Sequence, residues 1–415
     1  MPRTKLLYIL LAVLAIVYCA IEAQGQGDLF IYLTASADLA NHEDIFLKTY
    51  VDGYHYYYSV IFAILLKPFT YLPYYGMKLA WLLLNCFFVY SLFKKLFALE
   101  ILNSLTQKQR NFFYAGTILF SARFIHENIH ASQVTIMMLF MMVVGLQWIL
   151  KDKWLQGAIL LAFCINIKLL GIILLPYLFW RGYLKALVVT VGIYVLLLIL
   201  PSLIIGHSYN LALLSSWLHL INPANAQHVL DVDERSFHSL TTLLSTLLVK
   251  NVPDYYALDI KRNIADVSLS TLSMIITIMR LCFVAFTLFY LRTFPFKKAT
   301  CTLHSYFELS YLFALIPLIF PHQQHYAFLF VAPAFAISLF MILKEGHSWS
   351  ATKRNFIWGI ITIVFLSAAL KMLLGTFNNY YEHFKILTWG ALILLGLQSY
   401  LFHKLNKESN ERTNI

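Results

Sequence analysis

Few residues in this sequence have the chemistry to make or break a bond, and they gather in short stretches. The first is "GDLFIYLTASADLANHEDIF", which follows directly on an N-terminal apolar run. Its Asp28 stands where a membrane helix would leave the hydrocarbon, just before Phe30 and Tyr32. A carboxylate there can be a solvated loop residue, a helix cap or the centre of an active site. Asp38, Glu43, Asp44 and Asp52 follow, but Asp28 is the acid nearest the helix end. The second stretch is "FPHQQHYAFLFVAPA", which places His322, Gln323, Gln324 and His325 in a short connection between two apolar runs. Two imidazoles and two carboxamides make a rich hydrogen-bonding set, and an imidazole pKa of about 6.5 suits a general base near neutral pH.

The third stretch, "SARFIHENIHASQV", contains His126-Glu127-Asn128-Ile129-His130. That spacing matches the HExxH pattern of zinc proteases, in which both histidines share one helix face. A zinc site needs the motif inside a helix and a third ligand. Here the motif is expected in the linker between two spans, with no downstream signature for that ligand. Arg123, beside it, carries a planar fork of donors suited to phosphate. Lys168 lies between two short apolar segments, and Arg280 sits inside "MIITIMRLCFVAF" with no evident partner. "ERSFHSLTTLLSTLL", 234–248, is a polar-to-apolar transition and weak by itself. No glycine-rich phosphate loop, nucleotide fingerprint or paired Cys/His cluster occurs.

The elements that must hold these residues follow from composition. The 415 residues are 60% hydrophobic and 12% charged, and apolar runs long enough to cross a bilayer recur throughout. Backbone polar groups cannot be left unsatisfied in lipid, so the expected fold class is all-α, a polytopic membrane protein. Candidate spans are 6–24, 76–93, 111–125, 132–150, 154–167, 169–180, 185–205, 271–291, 305–320, 326–343, 355–374 and 386–402, about twelve crossings. The first is read as an uncleaved signal-anchor, because no small-x-small cleavage site follows it. With the N-terminus inside, 19 of the 31 basic residues fall on the short inner segments, as the positive-inside rule requires. The net charge of +11 is therefore a topology signal and not a nucleic-acid footprint. Residues 1–415 read as a single integral membrane domain with outer-face segments 25–75 and 206–270 and a cytoplasmic tail, 403–415. Segments 154–167 and 169–180 are short for upright spans. Such broken helices usually line a cavity, although Lys168 could instead snorkel to the interface. Five cysteines without paired spacing support neither a disulfide framework nor a metal site.

Taken in chain order, these stretches resemble the polyprenol-phosphate-mannose-dependent glycosyltransferases of family 87, within the C-type glycosyltransferase fold. Asp28-Leu29-Phe30-Ile31-Tyr32 with "TASADLAN" resembles the family's opening motif, and "YHYYYSVIFAILLKPFTYLP" its aromatic, proline-bearing stretch. Arg123, then Asn128 and Gln133-Val134, follows its Arg…Gln-Val pattern. Lys168 matches its segment lysine, "SFHSL" its Asn-Gln-Ser-Leu, and Pro321 to Pro333 its histidine hairpin. His238 replaces the usual glutamine, Ser132 stands where glycine is common, and the histidine pair is split.

The resemblance implies a hexosyltransferase that moves a sugar, mannose by this likeness, from a polyprenyl-phosphate donor to a lipid or glycan hydroxyl on the outer face, with inversion. The leaving phosphate needs no general acid, and the activated sugar supplies the energy without ATP, a cofactor or an obligatory metal. His325, His322 or Asp28 would be the base, and an Asp28–imidazole contact would fix the tautomer. Arg123 and Lys168 would bind the donor phosphate, with Tyr32, Gln133, His238 and Ser239 shaping the cavity. The partners are then the lipid-linked donor, the acceptor and membrane lipids, in a bacterial plasma membrane with both termini cytoplasmic. Rival classes are a lipid-linked sugar carrier or flippase, which predicts internal repeats, and an HExxH metalloprotease. On the transferase reading, Asp28→Asn and His325→Ala should each abolish transfer of radiolabelled sugar while leaving the folded protein intact.

Overall fold

The computed structural model describes residues 3–222, 230, 237–252, 254–291, 295–299, 301–369 and 371–413. Of the stretches singled out above, Glu234, Arg235 and Ser236 lie outside the described residues, as do His228 and the last two residues of the tail. All regular elements among the described residues are helices, apart from one isolated β-bridge between Thr49 and His55. The helices are α1 Arg3–Glu22, α2 Asp28–Ala40, α3 Val60–Leu66, α4 Tyr74–Phe97, α5 Gln107–His130, α6 Thr135–Leu150, α7 Trp154–Ile167, α8 Leu174–Trp180, α9 Leu184–Ile199 and α10 Ser202–Ile205. They continue as α11 His207–Ile221, α12 Leu240–Leu248, α13 Leu269–Leu291, α14 Thr302–Ile319, α15 Ala332–Glu345, α16 Ala351–Ser367, α17 Lys371–Leu374, α18 Asn378–His383 and α19 Ile386–Thr413.

Six helical segments among the described residues are long and apolar enough to cross a bilayer: Tyr74–Phe97, Leu184–Ile205, Leu269–Leu291, Thr302–Ile319, His325–Ser348 and Ile386–Leu405. Ala351–Ser367 with Lys371–His383, bent by 102°, would make a seventh. Five shorter apolar helices accompany them: Ile9–Glu22, Val60–Tyr71, Thr135–Leu150, Trp154–Ile167 and Leu169–Trp180. About twelve crossings were expected, whereas six segments, or seven with the bent pair, have the length and apolarity to cross. The expected spans 6–24, 132–150, 154–167 and 169–180 fall on the shorter helices, and 355–374 runs across the bend between α16 and α17. The span expected at 111–125 lies within α5, which Lys108, Arg110, Arg123 and Glu127 make more polar than the rest. The chain is an all-α, polytopic membrane protein.

Two compact units divide the chain, Met1–Leu96 with Ile125–Asn222, and Phe97–Phe124 with Pro223–Ile415. In the first, α6 and α7 pack backbone to backbone. A Cβ on Gly157 would run into the Gly145 carbonyl oxygen and lie 2.6 Å from Ile149 Cγ1. The break after α7 is made at Lys168, whose extended backbone (φ −149°, ψ 131°) leads into a 3-10 turn, Leu169–Ile173, and then α8. Pro176 costs α8 nothing, because it falls in the first turn, where the N–H has no intrahelical partner. Ser59 caps α3 by accepting from Phe62 N, and it also ties that cap to the end of α7. Its N–H donates to Ile167 O (3.2 Å) and its hydroxyl to Asn166 Oδ1 (2.8 Å).

In the second unit α14 and α15 form the best-buried part of the core, joined by the hairpin around His322 and the 3-10 turn His325–Val331. Phe120 and Phe335 stack at 4.0 Å between ring centroids. Arg280 on α13 donates to Thr241 Oγ1 on α12 (3.1 Å), so the intramembrane cation finds a hydroxyl inside the fold.

Because α6 and α7 meet through Gly157, Gly157→Ala should overpack this contact. The expected loss is about 1–3 kcal/mol, read as a lower midpoint of thermal unfolding in detergent.

Candidate active site

Asp28 is the first residue of α2, where the helix dipole favours a negative charge. Its N–H donates to Ala131 O (2.9 Å), which ties the start of α2 to the loop after α5. Gly27 before it leaves no room for a side chain: a Cβ would meet Ser132 Oγ at 2.8 Å and Ala131 O at 3.1 Å. Ser132 itself adopts φ +55°, a left-handed conformation that glycine enters more easily than serine. One turn into α2, Tyr32 is fully buried. Its hydroxyl lies 2.8 Å from that of Tyr58, and both hydroxyls donate to Gln133 Oε1, at 3.3 and 3.2 Å. With its carbonyl so engaged, Gln133 turns its amide nitrogen to Asp28 and donates to Oδ2. Among the described residues no hydrogen bond reaches Asp28 Oδ1. Lys168 projects from the break after α7, with Nζ 5.4 Å over the Tyr58 ring.

Asp28 and Lys168 are half-buried, whereas Tyr32, Tyr58 and Gln133 beneath them are buried. The result is an acid and a lysine set beside buried aromatic and amide groups. Burial pushes the Asp28 carboxyl up to about 6, opposed by the Lys168 charge and the Gln133 hydrogen bond. A carboxylate so placed is ionised at neutral pH and basic enough to take a proton.

The second unit gathers Arg123, His238 and His325 around an acid that the sequence reading passed over, Glu382. Arg123 Nη2 donates to Glu382 Oε1 (3.1 Å), and Nη1 to Ala369 O (2.7 Å). His325 Nε2 lies 2.9 Å from the same Oε1, and His238 Nε2 lies 2.7 Å from Oε2. The Arg123 guanidinium also sits 4.6 Å over the Tyr381 ring. All four polar side chains are buried. Burial pushes the His238 imidazole down to about 3, against the pull of Glu382, so it is neutral at pH 7. Its Nδ1 has no hydrogen-bond partner among the described residues. The segment carrying Glu382 is braced by a second buried ion group, in which Asp254 Oδ2 takes Arg262 Nη1 (2.7 Å) and Lys385 Nζ (3.0 Å).

The sequence expectations sort accordingly. Asp28, Tyr32, Gln133 and Lys168 are brought together, with Tyr58 added. Arg123, His238 and His325 are brought together, with Glu382 added. The carboxylate beside His325 is Glu382, where the sequence suggested Asp28. His322 has φ +55° and meets Phe237 edge-on at 5.3 Å, so His325 is the hairpin histidine that reaches Glu382. Ser239 caps α12, accepting from Thr242 N (3.1 Å). Glu382 lies in "NNYYEHFK", a polar and aromatic break between two apolar runs, and that break was the only sign of it.

His238, His325 and Glu382 offer ligand atoms within 4.8 Å of one another, a spacing that could hold a metal ion. Arg123 makes the fit poor, because its permanent charge already occupies Oε1 and neutralises the carboxylate. The HExxH residues lie in the last turn of α5, not in a linker, and their imidazoles share a face with ring centroids 6.0 Å apart. Their ring nitrogens face α1: His126 Nδ1 is 2.6 Å from Tyr18 Oη, and His130 Nδ1 is 2.9 Å from Glu22 Oε2. Helical placement removes one objection to a zinc site, but these contacts give each histidine a partner of its own.

The family model described as Glycosyltransferase family 87 matches residues 56–294, more than half of the chain. The match takes in Tyr58, Arg123, Gln133, Lys168, His238 and Ser239. No curated protein and no solved structure matches the chain.

Removing Glu382 would leave a buried guanidinium and two imidazoles without their acceptor. Glu382→Leu should therefore cost about 3–5 kcal/mol and Glu382→Gln less, read as ordered falls in the thermal midpoint.

Proposed function

The chain belongs to glycosyltransferase family 87, and on that premise we propose that this membrane glycosyltransferase moves a hexose, by resemblance mannose, from a polyprenyl-phosphate sugar to a hydroxyl of a lipid or glycan acceptor. The observation that carries the reading is the half-buried Asp28, bonded at one oxygen by Gln133 and faced by the Lys168 charge. In the proposed step the acceptor oxygen attacks the anomeric carbon from the side opposite the phosphate, and the acceptor proton passes to Asp28 Oδ1. The bond from C1 to the phosphate oxygen breaks, and its electron pair leaves with polyprenyl phosphate. The anomeric configuration inverts.

Each side chain has a physical task in this step. Gln133 holds Oδ2, so the carboxylate presents its other oxygen in a fixed direction, which is worth far more than a freely rotating acid. Tyr32 and Tyr58 fix the amide that does the holding. Lys168 stabilises the charge that builds on the leaving phosphate. Asp28 is the base, and His325 acts on the buried network around Glu382. Arg123, expected at the donor phosphate, is engaged by that same carboxylate and supports its segment. A long-tailed donor suits a site at the end of an apolar helix, and the basic inner segments favour the N-terminus inside. Both termini are then cytoplasmic and Asp28 lies on the outer face of a bacterial plasma membrane.

Purified protein in proteoliposomes, given radiolabelled mannosyl-phosphoryl-polyprenol and a lipid extract, should label an acceptor. Movement of the donor across the bilayer without any labelled product would reverse the reading in favour of a carrier. The kcat/KM for the donor should fall as pH drops through about 6, where Asp28 gains its proton. Asp28→Asn should lose at least about 100-fold in kcat. Its stability should run the other way. The folded carboxyl titrates near 6, above its ordinary 3.8, so the cost of charging it is absent below about 3.8 and complete above about 6. Asp28→Asn should thus unfold at a higher temperature than the wild type at pH 8, and the gap should close at pH 4.

A further inference from the structure

Lys78 lies on the second turn of α4, an apolar helix, and is fully buried. A buried ammonium is costly unless it is paired or well solvated by the protein. Among the described residues no carboxylate lies within ion-pair reach of it. Its nitrogen instead donates to two consecutive backbone carbonyls, Gly25 O at 3.0 Å and Gln26 O at 3.1 Å. Those carbonyls belong to the turn that delivers Asp28. Three residues along the same helix, and so on the same face, Trp81 donates its indole N–H to Ser132 O at 3.0 Å. That carbonyl belongs to the loop that delivers Gln133.

The two loops are also fastened to each other. Asp28 N donates to Ala131 O (2.9 Å), and Gly27 lies so close to Ala131 and Ser132 that no side chain fits between them. Neither loop has a regular partner of its own, since each is the irregular chain between two helices. One face of α4 thus grips both loops immediately before the residues whose side chains meet, Asp28 and Gln133.

We propose that Lys78 and Trp81 are positioning residues that set the Asp28–Gln133 pair, acting through the backbone of residues 25–27 and 131–133. The proposal rests on the reading of Asp28 as the base. Neither side chain is assigned contact with the sugar or the lipid. Their task is to hold two loop backbones in one register, because a misplacement of about 1 Å at a reacting group can cost about 100-fold in rate. The cost of burying Lys78 is then the cost of fixing a turn that has no side-chain cap, Gly27 being the residue before α2.

The test uses Trp81→Phe, which keeps the aromatic ring and removes only the N–H, with Lys78→Met beside it. Both are compared with the wild type as full-length protein in proteoliposomes, with mannosyl-phosphoryl-polyprenol as donor. Turnover by Trp81→Phe should fall about tenfold or more while KM for the donor changes less than about twofold. The acid limb of its pH profile should move upward, because a loosened Gln133 bond no longer holds the Asp28 carboxyl down. Amide hydrogen exchange at residues 28 and 131–133, measured without substrate, should quicken while α14 and α15 stay protected. Wild-type turnover, an unmoved acid limb and unchanged exchange in Trp81→Phe would overturn the proposal. So would a loss of activity that only tracks the loss of folded protein. If Lys78→Met does not accumulate, Trp81→Phe decides alone. Asp28→Asn run alongside separates the two ideas: full activity there defeats the base assignment, whereas an inactive Asp28→Asn with an unaffected Trp81→Phe defeats only the clamp.

Discussion

A carboxylate taken out of water has to be answered by something, and how Asp28 is answered governs the first unit of this protein. One oxygen receives an amide hydrogen bond, and a lysine lies near enough to oppose part of the burial. That is less than full compensation, and the shortfall keeps the group basic. The break at Lys168, the cap at Ser59, the paired tyrosines and the tight Gly27 turn all serve one arrangement, in which an incompletely satisfied acid is held still.

The second unit handles a buried acid in the opposite way. Glu382 receives a guanidinium and two imidazoles, and Arg123 is further held by a carbonyl and an aromatic face. Such a network is expensive to break and has little left to offer a substrate. A carboxylate whose two oxygens are both held by charged or buried donors organises a fold, whereas one with an open oxygen can accept a proton. The contrast is the physical ground for treating Asp28, and not the imidazole of His325, as the base.

Much of the architecture was legible because lipid imposes a simple rule on the chain. Apolar runs of sufficient length had to be helices, and the expected spans fall on helical segments, although only six or seven of them are long enough to cross and 355–374 is bent in the middle. The break at Lys168 was visible too, since a lysine between two short apolar segments has few places to go. Asp28, Tyr32, Gln133 and Lys168 could be picked out by type and order, although 140 positions separate the first from the last. Glu382 could not. It sits in a segment with no periodicity, and its value comes wholly from Arg123, His238 and His325 reaching it across the fold of the second unit. The HExxH spacing misled in a subtler way. Its helical placement was underestimated because polar residues at the end of α5 read as a linker, and the roles of its histidines are set by α1, which no local pattern encodes.

The uneven burial of the membrane helices has a consequence for how this sequence can change over generations. In the most apolar stretch of Leu184–Ile205 only 11% of the residues are buried in the protein, against 94% in that of His325–Ser348. The first can exchange leucine for isoleucine, valine or phenylalanine almost freely, since lipid adapts to any of them. The second must keep its volumes in step with its neighbours, because packed interiors feel the loss or gain of a single methylene. Both are strongly apolar on paper. Lineages descended from this protein would therefore drift apart fastest where a hydropathy plot is most confident, and would stay alike in helices that the plot cannot tell from the rest.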